Sequence, residues 1–198
     1  MSSNSYDYRV ERFKTIKNAW RLNSLHELLV FYSPQKNDLN ELRFALMLYI
    51  SKALYFDFTS NEEEFIHRLD GNYKRLDNVT PNGGIVPKKE YQLEYNLVLR
   101  SWSKIVKNMV ENNPSLITKY RITPNIRVKF AQEIEENINR TLNTAWPHSD
   151  AWVEGPWSMN CYFPAFGDIE NNNLRFWTLK DNNEFSKRFL DNASPYEE

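Results

Sequence analysis

The chain has 198 residues, enough for one domain with a sizeable core. Lys and Arg total 25 against 26 Asp and Glu, so a net charge of −1 leaves no bulk electrostatic footprint for nucleic acid or an anionic membrane. Hydrophobic residues at 41% and aromatics at 15% exclude a wholly disordered chain.

The longest apolar run, Phe44 to Ile50, is far short of the roughly 20 residues a membrane helix needs. The N-terminus carries no apolar segment of the kind that opens a secretory signal, so a cytoplasmic location is expected. A single cysteine, Cys161, cannot pair internally, and 3 histidines restrict any metal site. Only 5 Gly for the whole chain is few for a pure β-sandwich, which argues for helices.

The first half reads as helical. Val10, Phe13, Ile16 and Trp20 fall near helical spacing with charges between them. Ser24 with Glu27 has the form of a capping box and predicts a helix through Leu25, Leu28 and Leu29, closed at Ser33-Pro34. Asp38 with Glu41 predicts the cap of a helix from Leu42 to Phe56. That helix is apolar almost all round and therefore expected to be buried on most sides. Ser60 with Glu63 predicts a short helix ending at Gly71. Asn78 to Pro87 holds two Pro and two Gly and reads as a loop. Tyr91, Tyr95, Val98, Trp102, Ile105 and Met109 then form an unbroken apolar stripe, which core packing explains.

After about residue 122 the pattern changes. Ile126, Val128 and Phe130 alternate with Arg127 and Lys129, the period of a half-buried strand. Residues 159–163 and 174–179 also read as strands. Helices followed by strands predict an α+β chain, a single domain over 1–198 with a mainly helical part (1–121) and a β part (122–198).

The segment Trp146-Pro147-His148-Ser149-Asp150-Ala151-Trp152 carries the chemistry. On a strand, His148 and Asp150 face the same side, so an imidazole and a carboxylate converge on one point. These are two thirds of the 2-His-1-carboxylate set that holds non-haem Fe(II) and leaves positions open. Gly155-Pro156 and then Asn160-Cys161-Tyr162-Phe163-Pro164-Ala165 follow, with Asp168 and an Asn-rich turn beyond. Over roughly residues 122–180 the stretch resembles the Fe(II)/2-oxoglutarate-dependent oxygenases. It looks most like the phytanoyl-CoA-hydroxylase-like branch, which includes small oxygenases of carbohydrate and antibiotic biosynthesis.

That resemblance implies helices packed on a jelly-roll double-stranded β-helix. It implies hydroxylation of a small metabolite, such as a carbohydrate intermediate, with Fe(II) as metal and 2-oxoglutarate as co-substrate. His148 and Asp150 become iron ligands, Asn160 and Tyr162 co-substrate contacts, and Trp152 a substrate contact at the mouth of the site. Ordinary barrel lining also explains Asn160, Tyr162 and Trp152. Neither a nucleic-acid nor a membrane partner is expected, and the oligomeric state stays open.

The family also uses a distal His and, shortly beyond it, an Arg or Lys for 2-oxoglutarate. No histidine follows His148 here. Residues after 122 leave room for about four or five of the roughly eight strands a jelly roll needs. The expectation is therefore a fragment of an oxygenase, inactive alone. A degenerate oxygenase, a non-catalytic helical binding module and a metal-dependent isomerase or hydrolase are the alternatives.

Overall fold

A computed structural model of the chain describes residues 11, 14–15, 18, 23–26, 29–75, 77–80, 83–111, 119–130 and 160–171. They belong to two compact units, Met1–Tyr32 with Ala145–Glu198, and Ser33–Thr144. Among the described residues helix takes 52% and strand 5%, with no barrel. This overturns the α+β expectation of helices on a partial jelly roll.

In the first unit, residues 11, 14, 15 and 18 are helical, as the spacing predicts, and the Thr15 hydroxyl donates to the Glu11 carbonyl one turn back at 2.9 Å. The next segment departs from expectation. Strands β1 (Asn23–His26) and β2 (Leu29–Phe31) pair antiparallel, with Asn23 opposite Phe31 and His26 opposite Leu29. Leu29-Val30-Phe31 is a short run of strand-favouring residues, and short apolar runs do not separate strand from helix by period. Cross-strand pairing here wins over the weak Ser24/Glu27 cap. Residues 160–166 are irregular rather than the expected strand, and 174–179 lies outside the described residues.

Among its described residues the second unit has three helices, α1 (Lys36–Ala53), α2 (Glu62–Gly71) and α3 (Gln92–Glu111), with a 3₁₀ turn, Lys89–Tyr91, leading into α3. The main interface is α1 against α3. Helix α1 buries Leu42, Ala45, Leu46, Met47, Tyr49, Ile50 and Ala53, which lie round much of its circumference, as the apolar run predicts. From α3, Val98 and Ile105 of the stripe are buried, with Tyr91 buried just ahead of it. Tyr49 joins the two elements through ring contacts to Tyr91 (centroids 5.6 Å apart) and Tyr95 (5.2 Å). Burial first, then the neighbouring phenols of Tyr91 and Tyr95, holds the Tyr49 hydroxyl well above its ordinary pKa.

Asp38 is not the cap of α1. The helix starts at Lys36 after Gln35, and Asp38 is buried in the first turn. The Lys104 ammonium lies 2.8 Å from its carboxylate, and the Asn108 amide donates to it at 2.9 Å. A buried carboxylate requires such partners, so this contact fixes the register of α1 against α3.

The start of α2 lies one residue beyond the expected cap. Asn61 Oδ1 accepts from the Glu64 amide at 2.9 Å, while the Thr59 hydroxyl accepts from the Asn61 amide and donates to the Glu64 carboxylate. Thr59 first, then Arg68, holds the Glu64 carboxyl below its ordinary pKa. A carboxyl depressed on folding contributes stability above its unfolded pKa, and that contribution is lost as pH falls through the folded value. Glu64→Gln is therefore expected to be less stable than wild type near neutrality and to converge with it in acid. Thermal melts across pH 3 to 7 read this out, and curves that stay parallel refute it.

The loop expected at Asn78–Pro87 is confirmed in type and has a partner. Val79 bridges Ile85, and Gly84 bridges Arg127. The Ile85 amide donates to the Ile126 carbonyl, and the Val128 amide to the Gly83 carbonyl, both at 2.9 Å. Val128 is buried between exposed Arg127 and Lys129, so the predicted alternation is real. Its partner is this loop.

Candidate functional site

His148, Asp150 and Trp152 lie outside the described residues. Asn160 and Tyr162 are described. Both are exposed, and Tyr162 retains 56% of its accessible surface. The chain after them turns over residues 167–171. Gly167 adopts φ +87°, and Asp168 accepts from the Asn171 backbone amide at 3.1 Å and side-chain amide at 2.7 Å. Those two bonds hold the Asp168 carboxyl below its ordinary range. Among the described residues no group of three His, Cys, Asp or Glu side chains could hold a metal ion. His67 is exposed on α2, and His26 is in strand β1. Among the described residues no helix is long and apolar enough to cross a membrane.

A second site lies within the helical unit, at the C-terminal end of α1. The Phe56 amide donates back to the Ser51 carbonyl at 3.0 Å and the Tyr55 amide to the Lys52 carbonyl at 3.4 Å. This double closure is a Schellman turn, which needs a left-handed residue just beyond the helix. Glycine normally fills that place. Here it is Tyr55, at φ 59°, the sole non-glycine with positive φ among the described residues. A side chain in this conformation costs about 1–2 kcal/mol relative to glycine. The Arg75 guanidinium donates to the Tyr55 carbonyl at 3.1 Å, and Arg68 to the Asp57 carbonyl at 2.7 Å, so both cations lock the turn from behind.

Beside the turn is an open surface cleft of about 400 Å³. It is lined by Ser51, Lys52, Tyr55, Phe56 and Asp57 from the helix end, and by Glu90 and Tyr91 from the 3₁₀ turn. Tyr91 is fixed by its hydroxyl, which donates to the Val86 carbonyl at 2.5 Å. Burial first, then Tyr55 and Glu90 nearby, pushes its pKa up to about 12. Ser51 is buried at 1% exposure, and its hydroxyl has no hydrogen-bond partner among the described residues. The sequence offered no signal for this site, because Tyr55 sits where a helix stop would be read from Gly or Asn.

Comparison with family models, with curated proteins and with solved structures gives no match to this chain.

Proposed function

We propose that His148 and Asp150 are two ligands of a non-haem Fe(II) centre, and that the chain derives from a 2-oxoglutarate-dependent oxygenase of a small metabolite. The observation that carries this reading is the ordered motif itself. Pro147-His148-Ser149-Asp150-Ala151-Trp152 is followed at matching distance by Asn160-Cys161-Tyr162-Phe163-Pro164. The Gly167–Asn171 turn, at the place the motif requires one, supports it.

The donor set fits in part. One imidazole and one carboxylate are the right chemistry for Fe(II), but a facial triad takes a second imidazole, and no histidine follows His148. When bound, Fe(II) with 2-oxoglutarate supplies oxidation of an unactivated C–H bond. Asn160 and Tyr162 remain the proposed co-substrate contacts, and Trp152 the proposed substrate contact.

Anaerobic Fe(II) titration of the full chain is the test. Removal of outer-shell partners alone costs about 10–100-fold in metal affinity, so His148→Ala and Asp150→Ala are each expected to lose at least that much. Equal affinity in wild type and both variants rejects the metal centre. The second reading, a non-catalytic helical binding module, would then stand. It is favoured by the helical balance of the described residues.

A further inference from the structure

We infer that the cleft at the end of α1 binds a small organic cation, a primary or quaternary amine, against the Tyr55 ring. It uses neither His148 nor Asp150, and it does not depend on the Fe(II) reading.

The local rule at this turn is broken without a compensating gain in packing. Tyr55 holds a position where glycine is less strained, yet its side chain stays 52% exposed at the cleft wall. A strained residue whose side chain is half exposed points to a role for that side chain. Here Tyr55 shares the lining with two acidic residues, Asp57 and Glu90. Lys52 is the one cation in the lining, so the wall carries a net negative charge. Arg68 and Arg75 are turned to backbone carbonyls. Aromatic faces combined with carboxylates recognise a positively charged ammonium, and they disfavour anions. The buried Ser51 hydroxyl, without a partner among the described residues, is a polar group that a bound molecule would satisfy.

Choline and its neutral tert-butyl isostere are the probes, titrated into the full chain by calorimetry. The expected result is saturable choline binding with the isostere at least about tenfold weaker, since the two differ in charge and hardly in shape. Tyr55→Gly relieves the backbone and is expected to melt no lower than wild type, while binding choline at least about tenfold more weakly. Glu90→Gln is expected to weaken choline and leave the isostere unchanged. Absence of saturable choline binding, equal binding of the isostere, or full choline affinity in Tyr55→Gly each overturns the assignment. Because Tyr55→Gly removes strain, its loss of binding cannot be ascribed to unfolding.

Discussion

Phe65→Ala is expected to destabilise the helical unit by about 3–5 kcal/mol. Phe65 is the one buried residue of α2, and none of its surface is exposed. Its ring contacts Phe56, the last residue of the Schellman turn, with centroids 5.8 Å apart. The polar attachments of α2 are weak by comparison. Arg43 pairs with Glu62, and Arg68 donates to the Asp57 carbonyl at 2.7 Å, all of them at least partly exposed. Exposed ion pairs contribute about 0–1 kcal/mol each. A single aromatic side chain therefore docks the helix, and truncating it leaves a void the neighbours only partly fill. Urea denaturation followed by circular dichroism measures the loss. A change below about 1 kcal/mol would show that the ion pairs, and not the ring, hold α2 in place.

Gly83→Ala is expected to cost about 3 kcal/mol, and Gly167 and Gly71 serve as its controls. Gly83 lies at φ +85°, and a Cβ there would meet the Val128 carbonyl oxygen at 2.4 Å. That oxygen is backbone, so it cannot rotate aside, and the same residue donates its amide to Gly83. The substitution thus combines an unfavourable φ with the prising apart of a hydrogen-bonded pair. Gly167, at φ +87° with nothing within 4 Å of the added carbon, carries the φ cost alone, about 1 kcal/mol. Gly71, with no neighbour within 4 Å, is expected to stay within about 0.5 kcal/mol of wild type. Melting temperatures of the three Ala variants should rank in that order. If Gly83→Ala and Gly167→Ala lose the same amount, the close approach to Val128 is energetically irrelevant.

The helices that are buried by a regular stripe were legible in the sequence. Tyr91, Val98 and Ile105 keep their helical period because a single packed face dictates it, and the run through Ala45 to Ile50 reads as buried on many sides because it is. Segments decided by pairing were not. The Ser24/Glu27 cap competed with a hairpin whose partner strand lies a few residues on, and a local rule cannot weigh a cross-strand ladder. Asp38 shows the same limit. Its position fits a cap, but Lys104 and Asn108 on α3 draw it into the interface. The alternation at Ile126 to Phe130 was legible, whereas its partner was not, and the inferred sheet gave way to one loop-to-strand bridge. The motif at His148 and Asp150 is a statement of spacing and chemistry, and it falls outside the described residues. The strained Tyr55 was invisible because nothing in residue type announces a left-handed tyrosine.

The pairing of Gly83 and Ile85 with Ile126 and Val128 joins backbone groups roughly forty residues apart in the chain. The turns of α1, α2 and α3 close over a few residues each, so their order precedes this clasp in any search dominated by loop entropy. A contact made after the rate-limiting step slows escape from the native state and leaves the approach to it untouched. Gly83→Ala reads whether the clasp latches the fold: faster unfolding with unchanged refolding puts its closure after the rate-limiting step, and slower refolding puts it before.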